Sequence, residues 1–252
     1  AIGLAATWNP VLIERLADVV STEARAKHHE AARANDGATG RYQGLTLWSP
    51  NVNLFRDPRW GRGQECYGED VCLTSRMGTA FVRGLQGNDS RHLKTAATLK
   101  HFAVHSGPEN GRFAFNAVVS PRDLWEEELS VFEFVIRDGE ACSVMSAYNA
   151  INDTPGAANY WLLTEVLREQ WGFRGPVVGD VDNIAHLSGA MGYTIESVES
   201  CALAIKAGQD LCSGRAFEPG ESLGVWPQNN PDEVELLLAI LRARGSEAAT
   251  LL

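Results

Sequence analysis

The chain has 252 residues, 44% of them hydrophobic, enough for one full core, so a single domain is the default expectation. Lys and Arg number 22 against 32 Asp and Glu, a formal net charge of -10, which repels a phosphate backbone and argues against nucleic acid as a partner. No apolar run approaches the roughly 20 residues of a membrane span, and the opening AIGLAATWNP lacks the basic start of a secretory leader.

Read as a chain that begins inside an element, it would show no trace of a removed leader, so localisation stays open between cytoplasmic and periplasmic or secreted. Five cysteines (Cys66, Cys72, Cys142, Cys201, Cys212) without a CxxC pair indicate neither a disulfide framework nor a zinc site and are expected to be buried thiols. His101 and His105 in HFAVH lack the glutamate beside the first histidine that HExxH requires. Neither a metal nor a cofactor is expected.

In chain order, AIGLAATWN reads as a first strand. Residues 11–34 follow with Leu12, Leu16, Val19 and Val20 on one stripe opposite the charges, the helical period. LTLWSPNVNL is rich in β-branched and aromatic residues and reads as a strand feeding a loop. Helices are then predicted near 69–86, 120–138, 160–171, 194–207 and 232–244, separated by the apolar runs TAATLKHFAVH, ACSVMSAYN, GPVVGDV and GQDLC. Residues 215–231 read as a long loop.

Short apolar strands alternating with helices indicate a parallel sheet covered by helices, either doubly wound or closed. Polar residues favour closure: His101, Tyr148, Asn149 and Asp180 stand at the C-terminal ends of their strands, where barrel active sites are built. GRGQECYG lacks both the third glycine of GxGxxG and the lysine of a P-loop. The fold class is therefore α/β, a TIM-like (β/α) barrel. About six βα units are present against the eight of a full barrel, so it is expected to be incomplete, with residues 1–214 as the barrel and 215–252 as a finishing loop and helix.

The polar residues at strand ends are Arg62, Lys100, His101, Tyr148, Asp180 and Asp182, a set with hydrogen-bond donors around a carboxylate. Such a pocket suits a neutral polyhydroxy ligand whose reacting centre becomes cationic, as in glycoside hydrolysis, and flanking cations would keep the carboxylate ionised. Taken singly, Asp180 also fits a capping aspartate, Tyr148 a core aromatic, and Arg62 a brace against Asp57 or Glu65.

Four ordered motifs, WSPNVNLFRDPRWGRGQECYGED, KHFAVHSGPENGR, VMSAYNAIN and ANYWLLTEVLREQWGFRGPVVGD, make the chain resemble the N-terminal barrel of family 3 glycoside hydrolases over nearly its whole length to about residue 214. The likeness is to the β-xylosidase and α-arabinofuranosidase branch, since an FPGHG-type loop after KH is replaced by FAVHSG. The resemblance implies retaining hydrolysis of terminal β-linkages in xylo-oligosaccharides or related β-glycosides, with Asp180 as the catalytic nucleophile. Trp48, Arg62, Lys100, His101, Arg112 and Tyr148 would bind the sugar, and Met145 would pack the core.

Departures from the family pattern are specific. VVGDVDNI carries Gly179 where the family has serine, and Asp182 where a small residue is common; a strand period of two would aim Asp182 to the same side as Asp180. Cys66 and Gly156 also depart. A WNEALHG-like first strand with its acidic ligand does not precede Ala1, and the general acid is expected from a sandwich domain not in this chain. Two functions therefore fit: a retaining glycosidase whose acid lies elsewhere, or a non-catalytic, vestigial sugar-binding barrel. A barrel short of a strand would expose an unpaired edge that invites self-association.

Overall fold

The computed structural model describes residues 1–213, which divide into two compact units. The first comprises Ala1–Lys100 and Pro121–Ser143, the second His101–Ser120 and the chain from Val144 onward.

In the first unit the opening segment is helical rather than the expected strand: α1 spans Ile2–Ala5, with the amides of Leu4 and Ala5 both donating to Ala1 O. Its alanines and leucine are strong helix formers, and no alternation of burial opposes them. Helix α2 (Pro10–Ala34) starts at Asn9, whose side chain accepts from Leu12 N at 3.1 Å, with Pro10 in the first turn where a missing N–H costs nothing.

The buried face of α2 is not the predicted one. Ile13, Ala17 and Ser21 are buried, four residues apart, whereas Val19 and Val20 are exposed. The cause is a close crossing with α3 (Val71–Gln86): a Cβ on Gly84 would lie 2.2 Å from Glu14 O and 2.6 Å from Ala17 Cβ, and Ser21 Oγ donates to Gly84 O at 3.1 Å. Small residues let the two backbones approach, and that approach selects the buried face.

Strand β1 (Thr46–Leu47) runs parallel to β2 (Ala96–Phe102), pairing Thr46 with Ala96 and Leu47 with Ala97. The pairing continues past β1, because Lys100 N donates to Pro50 O and Val52 N to Lys100 O. Helical residues α4 (Pro121–Asp123), a π-helical turn over Leu124–Glu128 and α5 (Leu129–Gly139) realise the predicted 120–138 helix.

In the second unit β4 (Ser143–Ser146) runs parallel to β7 (Val177–Gly179), pairing Val144 with Val177 and Ser146 with Gly179. Leu211 of the GQDLC run bridges Val178 in parallel, and Phe102 O accepts from Ala147 N at 2.9 Å. A small sheet, absent from the sequence reading, joins β3 (Asn116–Ala117), β5 (Ala150–Ile151) and β6 (Thr154–Pro155) in the order β3-β5-β6. Residues Trp161–Gln170 wind as a π-helix that buries Leu162, Leu163, Val166 and Leu167. Beyond β7, α6 (Asn183–Ser188) was not predicted, while α7 (Ser197–Ala207) was; Ile184, Cys201 and Ala204 pack these two together.

Asp210, its side chain fully buried, accepts from Val177 N at 2.7 Å and from Arg168 at 2.6 Å, tying β7 to the segment that follows α7; burial raises its carboxyl above the usual range against the pull of both donors. The cysteines are all free, but only Cys66 and Cys201 are buried; Cys72 and Cys212 are exposed and Cys142 is half-buried, which corrects the expectation of five buried thiols. Among the described residues no helix is long and apolar enough to cross a membrane. The predicted helix at 232–244 and loop at 215–231 lie outside them.

Candidate active site

The second unit places three of the predicted residues together. Asp180 follows the last residue of β7 and is buried, its Oδ1 accepting from Val181 N at 2.8 Å and its Oδ2 lying 3.5 Å from His101 Nε2. Tyr148, two residues past β4, donates its hydroxyl to Val181 O at 2.7 Å. Strand ends thus deliver a carboxylate, an imidazole and a phenol to one place, as the apolar runs before them predicted.

The turn at Ala103 and Val104, just after β2, is held by Asn149. Asn149 donates from its amide to Ala103 O and Val104 O, at 3.2 and 3.1 Å, and its Oδ1 meets His105 Nδ1 at 3.2 Å. Val104 stands at φ 57°, a left-handed conformation that β-branched residues avoid, so these bonds hold a strained turn. The rings of His105 and His101 lie 4.3 Å apart. Its position at a strand end marks Asn149 as polar but not as part of the site, because side-chain bonds to a distant turn leave no local signal.

Aromatic rings extend this side. Phe113 stacks on His186 of α6 at 4.5 Å, and Tyr148 meets both rings edge-on. Burial lowers the pKa of His186, partly opposed by Asp182 and Asp180. Arg112, a predicted sugar ligand, pairs with Glu109 and lies with its guanidinium 6.0 Å from the Phe113 ring.

Asp182 does not share the direction of Asp180 through a strand period. The strand ends at Gly179, and Asp182 is in the left-handed conformation, φ 60°, immediately before α6, with its amide donating to Ser213 O at 2.7 Å. A turn has replaced the extended chain on which the alternation rule depends.

In the first unit Arg62 and Lys100 meet on one carboxylate. Arg62 grips Glu65 through two bonds, 2.7 and 2.8 Å, and Lys100 Nζ lies 4.0 Å from Glu65 Oε2. The Arg62 fork, reinforced by Lys100 and Asn51, holds the Glu65 carboxyl below the usual range despite burial. Of the two braces considered for Arg62, Glu65 is the one realised; Asp57 pairs instead with Arg59. Arg62 precedes a 3-10 turn, Gly63–Glu65, and Gly63 is required there because a Cβ would fall 2.5 Å from the Phe55 ring. Trp48 is exposed on the chain leaving β1. Glu65 is not among the predicted site residues, although its place three residues after Arg62 is a signal for the pair.

Compared with known proteins, residues 1–213 match the profile of the Glycosyl hydrolase family 3 N terminal domain. The chain belongs to glycoside hydrolase family 3. Among family 3 relatives, it is 41% identical over 215 residues to a xylan 1,4-beta-xylosidase of Xylanibacter ruminicola, covering 84% of this chain and 25% of that protein. It is 42% identical over 217 residues to a beta-xylosidase/alpha-L-arabinofuranosidase of Medicago sativa, covering 84% and 27%. A solved family 3 exo-beta-xylosidase (XlnD), in complex with a xylobiose aziridine probe, superimposes with a TM-score of 0.74 at 34% identity, covering 84% of this chain and 27% of that one. The chain spans about a quarter of the length of these relatives. Its fold class is that of the family's N-terminal domain, a TIM-like (β/α) barrel, here with the parallel strands described above.

Proposed function

We propose that this chain carries the nucleophile and sugar-binding side of a retaining β-glycosidase acting on terminal β-linked xylose. The observation that supports it most directly is Asp180, a buried carboxylate at the end of β7, with one oxygen fixed by Val181 N and the other toward His101. Relatives named as xylosidases support the sugar.

In this reading an oxygen of Asp180 attacks the anomeric carbon as the bond to the leaving oxygen breaks, and that oxygen takes a proton from a general acid supplied by a segment other than the described residues. Water then attacks the same carbon, breaking the ester to Asp180 and returning a proton to the acid, so configuration is retained and the enzyme regenerated. In the second unit His101 donates to a ring hydroxyl, with Tyr148 and Arg112 as further contacts; Arg62, Lys100 and Trp48 are proposed as sugar ligands of the first unit. His101, with its proton on Nε2, can serve a hydroxyl and Asp180 in turn.

The test is labelling with 2,4-dinitrophenyl 2-deoxy-2-fluoro-β-xyloside. Its leaving group needs no acid, whose help is otherwise worth about 10²–10⁴-fold, and its fluorine slows the second step. A covalent sugar mapped to Asp180 is the expected result. Xylose binding, measured by calorimetry, without any adduct would leave the vestigial sugar-binding reading standing, and an adduct on Asp182 would name a different nucleophile.

A further inference from the structure

Beneath Asp180 three side chains from separate parts of the second unit close a hydrogen-bonded cycle. Ser146 Oγ, at the end of β4, donates to Gln209 Oε1 at 2.6 Å; Gln209 Nε2, after α7, donates to Asn183 Oδ1 at 3.3 Å; Asn183 Nδ2, at the start of α6, donates to Ser146 Oγ at 2.8 Å. All three are almost fully buried.

The same residues grip the backbone that carries Asp180. Asp180 N donates to Ser146 O at 3.3 Å, and Asn183 N donates to Asp180 O at 2.9 Å. Gln209 Nε2 also donates to Leu211 O, which accepts from Gly179 N at 2.8 Å. The cycle occupies the space a side chain at 179 would need: a Cβ there would lie 2.2 Å from Asn183 Oδ1 and 2.6 Å from Gln209 Nε2. Glycine at 179 is thus the condition for the cycle to exist.

We propose that Ser146, Asn183 and Gln209 act together as positioning residues for Asp180, fixing the peptide from which its carboxylate reaches the sugar; the inference rests on Asp180 being the nucleophile. None of them needs to touch substrate. Turning the Asp180 peptide would break its bonds to Ser146 O and Asn183 N, two residues that the cycle ties to each other, and would strand buried backbone groups. A misplacement of about 1 Å at a reacting group costs about 10²-fold in rate.

The experiment uses the full-length protein and the fluorinated dinitrophenyl xyloside, with saturating labelling rate, half-saturating concentration and melting temperature read for each form. Wild type labelled at Asp180 secures the underlying reading, and its failure to label would refute that reading rather than the cycle. Given labelling, Asn183→Ala should slow the saturating rate about 10- to 100-fold while half-saturation moves less than about threefold. Ser146→Ala, which deletes the hydroxyl that closes the cycle and leaves the backbone bonds to Asp180 in place, should slow the rate to the same degree. A folded Asn183→Ala that labels at the wild-type rate overturns the proposal, as does one that loses sugar affinity along with rate. Should Asn183→Ala fail to fold, Ser146→Ala decides: a slow rate at nearly unchanged half-saturation supports the cycle, and a wild-type rate or a failure to fold overturns it.

Discussion

His101 holds Nε2 3.5 Å from Asp180 Oδ2, with the two side chains 1% and 10% exposed. At that distance, in so dry a setting, the imidazole is close enough to bias where the carboxylate sits yet far enough to turn to another acceptor. The pair is therefore expected to matter for binding and for chemistry alike.

Replacing His101 with alanine should lower kcat/KM for aryl xylosides about 10- to 100-fold, the worth of one hydrogen bond to a charged group. Steady-state kinetics on the full-length protein checks this. A change under twofold would show that His101 serves only the packing of its turn.

A pH dependence follows from His186. Burial disfavours its imidazolium, so its folded pKa lies below the ordinary 6.5. Above 6.5 both folded and unfolded forms are neutral and the group contributes no pH dependence. As pH falls through 6.5 the unfolded chain takes the proton first, and stability declines until the folded pKa is passed. Melting wild type and His186→Gln at about pH 7.5 and about pH 5.5 should show wild type losing more on acidification than the variant; equal losses would assign the acid sensitivity to other groups.

Gly84→Ala should be among the most damaging small substitutions in the first unit, because its methyl would meet the backbone carbonyl of Glu14 at 2.2 Å. The expected cost is about 1–3 kcal/mol or more, as for overpacking. Gly3→Ala is the control, since nothing lies within 4 Å of a Cβ there. Chemical denaturation of both variants settles the comparison, and similar stability for the two would show that α2 and α3 can separate freely.

What could be read beforehand follows the range of the forces involved. His101, Tyr148 and Asp180 are legible because each stands at or just past the end of an apolar strand, a pattern written in consecutive residues. The buried face of α2 was not, because Ala17 and Ser21 were selected by a glycine 63 or more positions away, on a different helix, rather than by their own hydrophobicity. Asp182 misled for a related reason: alternation held only while the chain stayed extended, and it turned after Gly179. Gly179 is visible in the sequence as a departure from the family pattern, but what fills the space beside it, Asn183 and Gln209, comes from elements whose proximity no local pattern records.

The cycle under Asp180 also has an electrical character. Its three members are uncharged and spend side-chain donors and acceptors on one another, so the assembly brings no formal charge near the carboxylate. The peptide of Asp180 is thus held by neutral groups, while Val181 N and His101 meet the carboxylate itself. A glutamate in place of Gln209 would preserve much of the shape while destroying that neutrality, setting a second negative charge beneath the first.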